Sequence, residues 1–186
     1  AGGNPSWNIG VDYRAQLNKS VDRQEVEALY KQAGLNLNRD LDALNDAPRI
    51  SPDLKAVLYL NKYITFDGDL DIPVLTMHTT GDGLVVNEDE QSYASVVREN
   101  DDSSLLRQVF VHRANHCTMT PAERLTAFST LVQRIDTGRW NDTTDPALMN
   151  QEAAALGSTF NAAPPAFISF KPAQFLRPFA FPDRFD

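Results

Sequence analysis

The sequence predicts an α/β fold, because two short β-rich runs in the central part of the chain alternate with two helical patterns. The first run, 72–78, leads into a glycine-flanked turn, and a helical segment follows over 88–98. The second run, 105–112, precedes a longer helical pattern that opens at Pro121. Strand, helix, strand, helix in this order is typical of parallel strands flanked by helices.

Length and composition are those of an ordinary globular domain. The chain has 186 residues, of which 42% are hydrophobic and 23% charged, and its apolar runs, such as 56–60, fall far short of the roughly 20 residues that span a bilayer. The formal net charge of -8 opposes binding to phosphate backbones. We therefore expect no membrane span and no nucleic-acid partner.

Helical patterns dominate the first third of the chain. A helix is predicted over 22–33, because Asp22 is followed three residues later by glutamate, as in a capping box, and Gly34 has the place of a C-cap. Short amphipathic segments follow at 37–44 and from Ser51, which precedes a proline suited to a first helical turn. These segments predict a helical insert.

The helix that opens at Pro121 ends at Gly138 and carries an apolar stripe. The stripe consists of Leu125, Phe128, Leu131, Val132 and Ile135. Beyond Trp140 a polar linker over 141–146 leads to a tail rich in proline and phenylalanine, which we expect to be extended and to dock its rings on the body. Its phenylalanines are Phe160, Phe167, Phe170, Phe175, Phe179, Phe181 and Phe185.

An aspartate and a histidine follow the two β-rich runs where the strands end. Asp82 lies in the turn after 72–78, and His116 lies 34 residues later in the loop after 105–112. Because the carboxyl ends of parallel strands meet at one edge of a sheet, both side chains should emerge there, within about 2.6–3.2 Å of each other. An aspartate that orients a histidine is the acid and base of a Ser-His-Asp triad. Each residue alone is also common in turns and loops.

The runs around these residues are Ile-Pro-Val-Leu at 72–75, Gly-Asp-Gly-Leu-Val at 81–85 and Asn-His-Cys-Thr-Met-Thr-Pro-Ala-Glu at 115–123. They resemble the last third of an α/β-hydrolase, particularly the bacterial esterase-like members. In that family the aspartate after the penultimate core strand and the histidine after the final one are the acid and the base. The resemblance therefore implies these catalytic roles for Asp82 and His116.

The resemblance also implies a division of the chain. Residues 67–140 would form the C-terminal core segment of an α/β-hydrolase, with parallel strands and flanking helices. Residues 1–66 would form an incoming loop and a helical cap or lid. Residues 141–186 would be a tail that packs on the body, and nothing in the tail contributes to the resemblance.

The family's nucleophile motif, Gly-x-Ser-x-Gly, is absent from the sequence. None of the nine glycines frames a serine in this way, and the only two glycines spaced two apart bracket Asp82. We therefore expect the serine on a missing N-terminal segment, which would be the chain's partner unless the chain self-associates, and we expect the chain alone to be inactive. The alternative is a non-catalytic binding or assembly module derived from the hydrolase fold.

Other reactive residues have structural interpretations. Cys117 is the single cysteine, which excludes an internal disulfide, and a residue next to the base in an extended loop should point away from it. His78 and His112 fall within or at the ends of strands, and the acidic run 67–71 fits a turn before a strand rather than a calcium loop. We expect no metal and no cofactor.

The substrate is predicted only as a class. An apolar cap suits a small acyl or ester substrate, so that carboxylic-ester hydrolysis and peptide or amide hydrolysis both remain open. The proline-rich, cysteine-poor character and the resemblance to bacterial secreted esterases favour secretion over the cytoplasm.

Overall fold

The computed structural model describes residues 2–176. They form two compact units, one made of residues 2–65 with 175–176 and the other of Phe66–Gln174. None of the helices in the described part of the chain combines the length and the hydrophobicity that crossing a bilayer requires.

The first unit is built from four short helices, of which the sequence patterns predict the last three. They are α1 (Tyr13–Lys19), α2 (Arg23–Ala33), α3 (Leu37–Asp46) and α4 (Leu54–Tyr63).

Side-chain caps begin three of these helices. The Asp12 carboxylate accepts a hydrogen bond from the backbone of α1, the Asn36 side chain does so for α3, and the Asp53 carboxylate does so for α4. The predicted start of the last helix at Ser51 is therefore wrong by two residues, because Asp53 takes the N-cap. The predicted capping box at Asp22 is also wrong, because its side chain makes no cap hydrogen bond.

The first unit buries little apolar surface. The helices α1 and α2 have no buried residue, α3 buries Leu41, and α4 buries Ala56 and Val57. Gly34 ends α2 in the left-handed conformation at φ 67°, as predicted. The helical pattern therefore predicts the secondary structure of this unit better than it predicts its burial.

The second unit combines strands and helices, which confirms a mixed α/β class. Its elements are β1 (Val74–Gly81), α5 (Glu88–Glu99), β2 (Leu106–Ala114), α6 (Pro121–Thr137), α7 (Pro146–Ala155) and β3 (Phe167–Ile168). The sheet order is β1-β2-β3, with β1 parallel to β2 and β3 antiparallel to β2. Both long strands run two or three residues further than the sequence predicts, so that the aspartate turn begins at Asp82 itself.

The parallel pairing sets the position of the two loops that follow the strands. Val74 is the partner of Leu106, the register continues to Thr79 and Val111, and a one-residue irregularity follows before Gly81 meets Ala114. The carboxyl ends of both strands therefore lie side by side.

Part of the phenylalanine-rich segment packs on strand β2. Phe167 and the residue after it pair with β2 as β3, and Phe167 is buried in the core, whereas Phe160 and Phe170 stay partly exposed. The predicted linker over 141–146 is an ordered turn, since the Asp145 carboxylate caps α7. Phe179, Phe181 and Phe185 lie outside the described residues.

Helix α6 turns its large apolar residues away from the core. Its buried face consists of Ala122, Glu123, Thr126, Ala127 and Thr130. Four of the five residues of the predicted stripe are open to solvent, with exposed fractions of 42% at Leu125, 65% at Phe128, 37% at Val132 and 61% at Ile135. The fifth, Leu131, is half-buried. Most of this apolar stripe is therefore exposed.

Replacing Gly68 with alanine is expected to lower the free energy of unfolding by more than about 1 kcal/mol. Gly68 has φ 84°, and an added Cβ would lie 2.3 Å from the backbone carbon of Val96. Gly83 is the matched control, because a Cβ there meets no heavy atom within 4 Å. Urea unfolding of both variants measures the difference, and equal midpoints would contradict the described packing.

Candidate active site

The candidate site lies where β1 and β2 end. Asp82 follows the last residue of β1 directly, and His116 lies two residues beyond the end of β2. The backbone N–H of Asn115 donates to the carbonyl of Gly81 at 2.9 Å and ties the two loops together. The shared sheet edge therefore brings the aspartate and the histidine, which are far apart in the sequence, to one place.

The Asp82 carboxylate is held on both of its oxygens. Oδ1 accepts hydrogen bonds from the backbone N–H groups of Leu84 at 2.9 Å and Val85 at 3.0 Å, while Oδ2 lies 2.7 Å from His116 Nδ1. The side chain of Asp82 is 3% exposed. Burial acts to raise its pKa, but the hydrogen bonds from Val85, Leu84 and His116 outweigh burial and lower the pKa from 3.8 to about 2.

The hydrogen bond between His116 and Asp82 is the contact that the sequence predicts. Because the carboxylate is ionised at neutral pH and can only accept, His116 Nδ1 must carry the proton and donate it. In the neutral ring the lone pair then lies on Nε2. The His116 side chain is 45% exposed, so the ring extends out of the sheet edge. The arrangement gives an imidazole oriented by the carboxylate, whose second nitrogen can accept a proton.

Side-chain hydrogen bonds hold the histidine loop against the sheet. The Thr79 hydroxyl donates to the carbonyl of Asn115 at 2.8 Å, and the Thr118 hydroxyl donates to the carbonyl of Ala114 at 2.7 Å. Asn115 and Cys117 both have left-handed backbones, with φ 72° and 54°. The loop is therefore curled rather than extended.

Cys117 faces the His116 ring, and the prediction that it points away is wrong. Its sulfur lies 3.3 Å from His116 Nε2. Alternation of neighbouring side chains holds for an extended chain, whereas the positive φ of Cys117 turns its side chain toward the ring of the preceding residue. The cysteine is unpaired and exposed.

The other two histidines bond elsewhere. His78 Nδ1 lies 2.9 Å from the carbonyl of Thr79, and His112 Nδ1 lies 3.3 Å from the hydroxyl of Thr80. In the run 67–71, the Asp67 side chain accepts a hydrogen bond from the backbone two residues on, as in a turn. Residues 2–176 contain no group of three or more histidine, cysteine, aspartate or glutamate side chains arranged to hold a metal ion.

An ion pair beneath the histidine loop is a feature that the sequence argument misses. The Arg113 guanidinium donates to both carboxylate oxygens of Glu123, at 3.2 and 2.9 Å. Glu123 is fully buried and also accepts hydrogen bonds from the backbone N–H groups of Thr120 and Ala166. The Thr-x-x-Glu spacing ahead of an apolar helix is a capping-box signal that could have revealed this role.

The surroundings keep Glu123 ionised. Burial acts to raise its pKa, but the hydrogen bonds from Arg113 and from the backbone of Thr120 and Ala166, together with the positive charge of Arg113, outweigh burial and lower it. Glu123 therefore fastens the end of β2, the start of α6 and the segment entering β3 through one carboxylate.

Comparison with known proteins places this chain beside an amidase. It is 35% identical over 153 residues to an o-phthalyl amidase of Xanthobacter agilis, a match that covers 81% of this chain and 34% of the amidase. No family model matches the chain, and no solved structure matches it. The chain thus spans about a third of the length of the curated relative it matches, and over most of its own length it is similar to part of an amidase.

Proposed function

We propose that this chain is the C-terminal segment of an α/β-hydrolase-type serine hydrolase that cleaves amide or carboxylic-ester bonds. Asp82 is the acid and His116 the base, and the serine belongs to a segment outside this sequence. The observation that supports the proposal most is the oriented imidazole, with Nδ1 bonded at 2.7 Å to a buried carboxylate. Such an arrangement is what a general base for a hydroxyl nucleophile requires.

In the proposed reaction His116 first accepts a proton and then donates it. Nε2 takes the proton of the serine hydroxyl as the serine oxygen attacks the carbonyl carbon, and the imidazolium then gives this proton to the leaving amine or alcohol. Asp82 stabilises the charged ring and holds its orientation. Water releases the acyl group in the second half of the cycle, with His116 again acting as the base.

The similarity to an amidase favours amide bonds over esters within this proposal. An o-phthalyl amide, the substrate class named for the relative, is therefore the first compound to assay. Short-chain acyl esters are the second class, because the resemblance of the core segment to esterase-like hydrolases supports them.

We assign residues 67–140 to the hydrolase core, 1–66 to the cap segment and 141–186 to a tail. Among the described residues, no strand pairs with the second edge of β1, and most of the apolar stripe of α6 is exposed. An open parallel edge beside an apolar surface is unfavourable for a solitary domain. A complementary segment that adds a strand to β1 and packs on α6 would relieve both.

The isolated 186-residue chain is expected to hydrolyse neither substrate class and to resist labelling by a fluorophosphonate serine probe. Co-expression with the polypeptide encoded upstream should produce a complex that hydrolyses substrate and is labelled on a serine of that polypeptide. Turnover assays and mass spectrometry of the labelled peptide measure both results. Stoichiometric labelling of a serine within the 186 residues would contradict the proposal, and a stable complex without turnover would favour the binding-module alternative.

A further inference from the structure

We propose that Cys117 is a thiol-modification site that His116 and Asp82 activate toward low-molecular-weight disulfides. The site belongs to this chain alone and needs no serine. It is therefore independent of the hydrolase activity proposed above, although it shares the same base.

Cys117, His116 and Asp82 make two consecutive side-chain contacts at the sheet edge. The Cys117 sulfur lies 3.3 Å from His116 Nε2, and the opposite ring nitrogen, Nδ1, lies 2.7 Å from Asp82 Oδ2. Because Nδ1 holds its proton toward the carboxylate, Nε2 is the nitrogen that can accept the proton of the thiol. A nucleophile beside a base that a third group orients is the geometry by which weak nucleophiles are activated in proteins.

The surroundings of Cys117 are those of a reactive thiol. The residue is exposed, whereas inert structural cysteines are buried. The Asp82 side chain, by contrast, is buried: it is 3% exposed, and its Oδ1 accepts hydrogen bonds from two backbone N–H groups. Cys117 also has φ 54°, which is uncommon for a residue with a side chain. The backbone thus holds the sulfur against the ring, and the carboxylate holds the ring.

The proposed reaction is thiol–disulfide exchange. Nε2 of His116 takes the thiol proton, and the Cys117 thiolate attacks one sulfur of the disulfide. A new sulfur–sulfur bond forms as the old one breaks, and the leaving thiolate takes the proton from His116. The products are a mixed disulfide on Cys117 and one free thiol, with the incoming disulfide as the oxidant.

Modification has a consequence for the proposed hydrolase, and this step rests on the proposed function. A group attached to the Cys117 sulfur lies beside Nε2, which is the nitrogen that must reach the serine. The mixed disulfide would therefore block the base, and reduction would restore it.

The rate of exchange tests the proposal on the 186-residue chain itself, with a chromogenic aryl disulfide followed by stopped flow. We expect the second-order rate constant of the wild type near neutral pH to exceed that of His116→Gln by about tenfold or more. Asp82→Asn should also slow the exchange, because the ring loses its orientation. His112→Gln is the matched control and should react like the wild type, since His112 bonds to Thr80.

Two results would overturn the proposal. One is a folded His116→Gln variant, judged by circular dichroism, that reacts as fast as the wild type. The other is a native chain that reacts with the same rate and pH profile as the chain unfolded in urea. This comparison needs no variant, so it still tests the proposal if the substitutions unfold the chain. A failure of the completed protein to hydrolyse amides would count against the proposed function and leave this result unchanged.

Discussion

Replacing His116 with alanine in the proposed hydrolase, once the serine-bearing segment is supplied, is expected to remove nearly all turnover. In the proposed hydrolase the imidazole is the group that takes the serine proton, and loss of a triad member in serine proteases costs about 10⁴-fold or more in kcat. The measurement is kcat on an o-phthalyl amide and on a short-chain ester. The expected signature is a loss of kcat with a smaller change in KM.

In the same assay, Asp82→Asn tests how much the carboxylate contributes by orienting the His116 ring, because the imidazole itself is kept. The asparagine keeps the shape of the side chain but can turn a donor toward Nδ1, so that the ring adopts the wrong tautomer, at a cost of about 10⁴-fold in the serine-protease precedent. Because the pKa of Asp82 is lowered to about 2, the carboxylate stays ionised throughout an ordinary assay range. The substitution, rather than a change of pH, is therefore the way to remove its charge.

His112→Ala serves as the control for both variants, because His112 is also a strand-end histidine but bonds to Thr80. It should keep wild-type turnover. If His116→Ala retained wild-type turnover while the complex remained folded, the base would lie elsewhere and the assignment of both residues would be wrong.

Glu123→Ala is expected to lower the free energy of unfolding by about 3–5 kcal/mol, the cost of removing one partner from a buried ion pair. The substitution removes the carboxylate partner of Arg113, whose guanidinium then keeps its hydrogen bond to the carbonyl of Pro164, and leaves the backbone N–H groups of Thr120 and Ala166 without their acceptor. Urea unfolding followed by circular dichroism measures the loss. The exposed Glu152 is the control, and its replacement by alanine should change stability by less than about 0.5 kcal/mol.

The same carboxylate makes stability depend on pH. The pKa of Glu123 is lowered in the folded chain from its ordinary value of 4.5. Its contribution is therefore complete above that value and is lost as the pH falls through the lower, folded pKa. Glu123→Gln should be less stable than the wild type at neutral pH, and the difference should shrink in acid. Parallel stability curves for the two proteins would contradict this role.

Local patterns in the sequence were sufficient to predict the frame of the site. Two β-rich runs, each followed by a loop that carries one of the two candidate residues, predict parallel strands with Asp82 and His116 at one edge, and the structure has this pairing and the 2.7 Å contact. Gly138 likewise predicts the end of α6, because glycine has no Cβ and adopts the left-handed backbone of a C-cap without steric strain. These features depend on neighbouring residues and on the geometry of parallel sheets, so the sequence determines them by itself.

Tertiary structure decided what depends on distant partners. The tail strand β3 forms because Phe167 pairs with β2. Most of the stripe of α6 faces solvent because Ala122 and Glu123, rather than the larger residues, pack on the core. The Cys117 side chain turns toward the His116 ring because its backbone adopts a positive φ inside a loop held by a hydrogen bond from Thr79. Periodicity shows which residues are apolar and how they alternate. Contacts between segments far apart in the chain decide which surface is covered and in which direction the side chains of a curled loop point.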